Sequence, residues 1–491
     1  MSLFRAGTVL VTAVQWRLAM AAWPTSCLIN SSSNARTQLM SDSNTTLVEK
    51  IKASSARWNP LRKVDTLGQF DFNTCIVMLD SLESSSVKGI AISDLESTNK
   101  IDLATFERLR KALVLAVHEY THFVDSTSTL WGLRHLRMMH RAYGCITHDE
   151  SKFHIMRTYY THLRRLKLPQ YYTTISNQYD TAPPWQWRLT SGREFRPDGR
   201  PGERPILFVR FYNDKWEPII RSPISIISLL ETVAMAAELD AAMSLLRRIE
   251  DEDQRIVATS LFGKETFEYL YNPNLTEYSV CAHLVANRFN QSEATLAFWA
   301  ASILARTALN ASIDVFNIIL KNIRVFFDKV RLRYSDDEAK AIRRALGNYD
   351  LGALFYVICM IMDSDALKNP ASFGASLVIA MATLGVHFKK DYEKTALQEA
   401  QGIIAEIKES SFGTIARVAS AGFENLNTMI GGFGMLKLAE MHLPPVLLGD
   451  SKQHEFHTAN SNMLKSVDLE TSYYEMSEGQ ERMQNFGDAC M

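Results

Sequence analysis

The stretch Leu113-Val114-Leu115-Ala116-Val117-His118-Glu119-Tyr120-Thr121-His122-Phe123-Val124-Asp125 decides how this chain is read. It continues an apolar stripe at helical spacing through Leu103, Phe106, Leu109, Leu113, Val117 and Val124, with Asp102 placed to cap the start. A helix turns about 100° per residue, so His118 and His122 project from one face a turn apart, and Glu119 sits on the adjoining flank. Neither histidine belongs to the apolar stripe. Two imidazoles so spaced can hold a zinc ion while the carboxylate between them serves as a base, which makes His118 and His122 expected metal ligands and Glu119 the expected catalytic residue. A chance H-E-x-x-H in a chain of this length and histidine content is on the order of one in a hundred. The apolar, mid-helix setting further separates this match from an incidental surface pattern.

Working outward, Thr45 to Ala56 reads as a short amphipathic helix, and Asn73–Leu82 and Val87–Ile92 read as strands divided by Ser84-Ser85-Ser86. Beyond the motif, Trp131–Tyr143 and Phe153–Leu166 read as helices. The proline- and glycine-punctuated residues 178–205 read as a long loop insertion, and Ile206–Tyr212 as a strand. Ser222-Pro223 carries the cap-then-proline signature of a helix start, and the helix it opens contains Glu231 and Glu238. Helical periodicities then follow at 292–310, 313–333, 336–347, 352–362, 371–388 and 392–409, without a fixed repeat. Residues 413–434 are richer in glycine and polar side chains. Residues 451–491 read as a mobile tail, in which His454-Glu455-Phe456-His457 lacks apolar flanks and reads as solvated. The expected organisation is an extension over 1–42, a motif-bearing domain over 43–260 including the 178–205 insertion, a helical domain over 261–450 and a tail over 451–491.

Composition narrows the function classes. With 491 residues, 46% hydrophobic and 22% charged, the chain can bury a large core. Its 53 Lys plus Arg balance 54 Asp plus Glu, so nothing points to nucleic acid as a partner. No stretch reads as a membrane span: residues 351–362 are too short, and 371–388 are diluted by Gly, Ser, Thr and His387. Cys27, Cys75, Cys145, Cys281, Cys359 and Cys490 are scattered without CxxC spacing, as buried thiols of a reducing, cytoplasmic compartment are. The segment before Asp42 has no acid and carries Arg5, Arg17 and Arg36; it is either a targeting segment or an extension preceding a start at Met40.

A catalytic zinc keeps three protein ligands. Ser128 stands six residues past His122, which excludes the H-E-x-x-H-x-x-G-x-x-H arrangement. Glu231 is the favoured third ligand, because a carboxylate among Ile226, Ile227, Leu229, Leu230, Val233 and Met235 would be costly to bury without a cation. Ala234 and Ala237 would let its helix come close. Glu238, Asp125, Glu150 and His148 are the other candidates, Glu238 being more readily read as a solvated charge on the far turn. Asp125 reads either as a partner for the free ring nitrogen of a ligand or as a charge at the helix end. His135, His140, Tyr143 and His154 are available to steady a developing oxyanion.

On these residues the chain resembles the glutamate-zincin peptidases, in which H-E-x-x-H is joined by a Glu from a later helix. Glu231-x-x-Ala234-x-x-Ala237 also looks like the E-x-x-A-x-x-[FA]-A ligand helix of intracellular bacterial metallopeptidases that regulate repressors. The likeness covers two helices, and the interval from His122 to Glu231 is longer than is usual there. It implies His118, His122 and Glu231 as zinc ligands and Glu119 as base. The fold it implies is α+β and predominantly α: a zincin-like metallopeptidase domain with a small sheet and an active-site helix, followed by a helical domain. The implied activity is zinc-dependent endopeptidase action on an intracellular protein or peptide substrate, with the helical domain open to a regulatory protein partner. The alternative is a helical protein-interaction module with a structural metal or none.

Overall fold

A computed structural model describes residues 45–59, 67–145, 149–176, 178–196, 199–330, 334–457 and 459–489. The expected extension over 1–42 and the candidate ligand His148 lie outside these residues. The described chain is predominantly helical with two small sheets, an α+β arrangement.

Helix α1 (Leu47–Trp58) precedes strands β1 (Gln69–Asp71) and β2 (Ile76–Leu79). The strand expected over Val87–Ile92 is instead two short helical turns, Ser84–Val87 and Ile92–Leu95. The Ser86 hydroxyl donates to the Glu83 carbonyl and Gly89 adopts φ +73°, so local hydrogen bonds and a left-handed glycine take this segment out of the sheet. Asp102 caps α2 (Leu103–Leu109) as expected, accepting from the Thr105 N–H at 2.7 Å. One π-helical turn, Arg110–Val114, widens the backbone before the motif helix α3 (Leu115–Ser128). Helices α4 (Leu130–Tyr143) and α5 (Phe153–Leu166) follow.

The expected 178–205 loop is largely sheet. Strands β3 (Thr174–Ile175), β4 (Gln186–Phe195), β5 (Pro201–Tyr212) and β6 (Pro218–Pro223) form an antiparallel sheet in the order β3-β6-β5-β4. Pro205 is tolerated because β6 pairs with β5 only from Phe208 onward, leaving one side of Pro205 without a ladder partner. Ser222 and Pro223 end β6 rather than opening a helix. The cap of α6 (Ile226–Leu246) is Ser225, whose hydroxyl accepts from the Ser228 N–H at 3.1 Å.

Among the described residues the α-helices that follow are α7 (Glu252–Leu270), α8 (Thr276–Arg288), α9 (Ala294–Leu309), α10 (Ile313–Lys329), α11 (Asp336–Gly347), α12 (Leu351–Ile361), α13 (Phe373–Thr383), α14 (Lys394–Ile407), α15 (Gly413–Met429) and, after strands β7 (Val446–Leu448) and β8 (Gln453–His454), α16 (Leu469–Ala489). The residues expected as a tail are therefore structured. Tyr473, Met476 and Met483 of α16 are buried, and Gly479 lies so close to the Tyr143 ring that a Cβ there would fall 2.3 Å from it. Phe456 and His457 are buried too, and His454 is half-buried beside the Ile90 carbonyl, so His457 is not the solvated residue expected.

Strand β7 lies parallel to β2, giving a mixed sheet in the order β1-β2-β7-β8. Late residues thus complete the sheet on which α3 packs. Around the rest of α3 stand α4, α6 and α15; a Cβ on Gly422 of α15 would fall 2.1 Å from the Thr127 carbonyl oxygen, so only glycine permits that approach. Thr46–Met491 cluster as one compact unit. Among the described residues no single helix is long and apolar enough to cross a membrane.

Candidate metal centre

Two helices build the site. Helix α3 presents His118 and His122, and α6, which is apolar on every side and buried almost throughout, presents Glu231. Glu231 is 2% exposed and His122 3%. The ligand atoms of His118, His122 and Glu231 all lie within 4.8 Å of one another. The two Nε2 atoms are 3.2 Å apart, and Glu231 Oε2 lies 3.4 Å from His122 Nε2 and 3.7 Å from His118 Nε2. Four ligands placed tetrahedrally at zinc distances of 2.0–2.1 Å would be separated by about 3.3 Å. The three donors therefore fit one face of such a tetrahedron, and they are of the nitrogen and carboxylate types that suit a divalent transition metal.

The carboxylates around this face set its charge. Glu238, two turns beyond Glu231 on α6, accepts from or is paired with His118 Nδ1 at 3.0 Å, so that Nε2 is the nitrogen turned to the other donors. Glu119 is 6% exposed and close enough to act on His118 electrostatically. Burial works against the His118 imidazolium, but the Glu238 hydrogen bond and the charges of Glu119, Glu238 and Glu231 outweigh it and raise its pKa from 6.5 to about 9. The pocket favours a positive charge. Solvent reaches it from the side of His118 and Glu238, whose side chains are 15% and 19% exposed. At the start of β1, Gly68 lies against Glu119: a Cβ there would stand 3.3 Å from Glu119 Cγ and 3.1 Å from the Met78 carbonyl oxygen.

The remaining candidates lie elsewhere. Asp125 neither orients a ligand histidine nor ends the helix as a solvated charge; it is fully buried against Arg306 of α9 at 3.4 Å, and burial pushes its carboxyl up to about 6 against the pull of that guanidinium. Glu150 is exposed in a 3-10 turn, Glu150–Lys152. His135 pairs with His162, His140 with Ser410 and His154 with the Ser151 carbonyl, while the Tyr143 hydroxyl donates to the Asn73 carbonyl. Glu238, read from the sequence as an alternative ligand or a solvated charge, is paired instead with His118. Its spacing from Glu231, two whole turns on one face, is the signal that pointed to it.

No protein-family profile, curated protein or solved structure matches this chain.

Proposed function

We propose that the chain is a zinc-dependent endopeptidase acting on an intracellular protein or peptide, with a zincin-like arrangement of α3 and α6 about the metal. The reading is supported above all by the convergence of His118 Nε2, His122 Nε2 and Glu231 Oε2 from two helices far apart in sequence. Zinc, when bound, supplies a Lewis acid that lowers the pKa of water toward neutrality and polarises a carbonyl. Glu119 accepts the proton of the attacking water and delivers it to the leaving amine. Glu238 holds the His118 ring so that Nε2 faces the other ligands. A structural zinc draws on four protein ligands, whereas the group found among the described residues has three, which favours catalysis over the interaction-module reading.

Regulation by a protein partner belongs to the same reading. Helices α9 and α15, from the region expected to be a separate domain, touch α3 through Arg306 and Gly422, so a partner that shifts them acts on the motif helix directly.

The test is Glu119→Gln, assayed on a dye-quenched unfolded protein substrate alongside metal content. Zinc retained with turnover lost is the expected result. Turnover equal to that of the wild type would show the proton-transfer role to be wrong.

A further inference from the structure

The second sheet carries a row of like charges. Arg188 of β4 stands opposite Arg210 of β5, which stands opposite Arg221 of β6, so three guanidinium-bearing residues share one face on adjacent strands. Strands lie about 4.8 Å apart, which spaces the outer two backbones by roughly 10 Å. Like charges directly opposite one another destabilise a sheet. A carboxylate would offset this, yet among the described residues none of the three makes an ion pair. The neighbouring rows on that face are neutral: Gln186 and Tyr212 on one side, Thr190, Phe208 and Pro223 on the other, with Thr174 beside Arg221. By contrast, Arg204 on the same hairpin is matched by Asp350 and Glu194.

The row is held open. Arg221 lies 4.5 Å over the Phe208 ring and Arg188 lies 5.4 Å over the Trp216 ring, which supports the guanidinium planes without using their N–H donors. The Nε of Arg221 is buried with no hydrogen-bond partner. Burial and the charge of Arg210 push the Arg221 guanidinium below its ordinary pKa. The opposite face of the sheet contributes Leu207, Val209 and Phe211 to the core, so the arginine face is the outward one.

We propose that Arg188, Arg210 and Arg221 form a docking site for an acidic segment of a partner protein. Fork-shaped guanidinium donors match carboxylates, and the partner's negative charge replaces the pairing that the sheet lacks. Nucleic acid fits less well. The chain's formal charge of −1 offers a phosphate backbone no general attraction. The site shares no residue with the metal centre and stands whether or not that centre holds zinc.

Fluorescence anisotropy on the full chain at low ionic strength tests this, with labelled hexaglutamate, hexaglutamine and a single-stranded hexanucleotide as probes. Hexaglutamate alone is expected to bind, and Arg210→Thr to weaken it by about tenfold or more. Arg324→Thr, which removes an exposed charge on α10, leaves binding unchanged. Removing one of three opposed charges should leave the melting temperature of Arg210→Thr unchanged or raised. Should that variant not fold, Arg188→Thr on the exposed edge strand makes the same comparison. Absence of hexaglutamate binding, equal binding by Arg210→Thr and wild type, or a row-dependent preference for the oligonucleotide overturns the proposal. So does a lowered melting temperature accompanied by unchanged binding, the mark of a purely structural row.

Discussion

Two histidine pairs in this molecule have almost the same spacing and opposite character. His118 and His122 bring ring nitrogens within 3.2 Å; His135 and His162 bring theirs within 3.1 Å. The first pair is ringed by Glu119, Glu231 and Glu238, and its His118 is raised to about 9. The second lies among Phe72, Trp131 and Tyr159, and burial lowers His135 from 6.5 to about 4 and holds His162 well below 6.5 as well. Proximity of imidazoles is thus not what makes a metal centre. The carboxylates around the first pair make a cation welcome, while the aromatic box around the second keeps both rings neutral.

The largest expected contrast is in response to metal. Ligand that binds only the folded state stabilises it by about 4 kcal/mol when its free concentration exceeds Kd roughly a thousandfold. Chelation should therefore lower the melting temperature of wild type and of His135→Ala, and leave His118→Ala where it was. A chelator response in His118→Ala matching that of the wild type would erase the distinction between the pairs.

Next in size is the pH dependence of the metal-free protein, where the pairs should act with opposite sign. His118, raised in the folded state, contributes stability that is complete below pH 6.5 and lost as pH rises through about 9. His135, lowered in the folded state, contributes stability that is complete above pH 6.5 and lost as pH falls through about 4. Each window is worth up to about 3 kcal/mol. Denaturation at pH 5, 7 and 9, repeated with His118→Ala and His135→Ala, separates the two. Zinc should remove the alkaline loss by replacing the proton on His118.

Smaller again is the effect of Glu238→Gln, which keeps a hydrogen-bond acceptor but removes a charge. It should weaken zinc binding by about 10–100-fold, and in the metal-free protein it should remove part of the stability that a charged His118 gives below pH 9 while changing little above it. Metal-free unfolding altered as strongly above pH 9 as below it would reassign Glu238 to packing. Smallest is His162→Gln, expected to change stability by within about 1 kcal/mol and zinc content not at all.

Much of the first pair was legible in the sequence, and none of the second. Helical spacing fixes which face His118 and His122 share, and a carboxylate in an apolar run marks Glu231, because both arguments need only local geometry and solvation. The pairing of His135 with His162 depends on how α4 meets α5, which no local period encodes. The same divide runs through the fold. The Asp102 cap and α5, α9 and α11 followed from periodicity to within a few residues. The β4–β5 hairpin was hidden by prolines that mark loops when pairing is unknown. Helix α7 exposes Ile256, Val257, Leu261 and Phe267, so its apolar residues obey no inward stripe. Strand β7, parallel to β2 across most of the chain, had no local signal at all.

Metal analysis of the purified wild type, Glu231→Ala, Glu119→Gln and His135→Ala chains tests the central claim most directly. The account predicts close to one zinc per chain in the wild type, in Glu119→Gln and in His135→Ala, and loss of zinc in Glu231→Ala. A wild-type chain that takes up no zinc when supplied with it, or a Glu231→Ala chain that keeps its full complement, would contradict it.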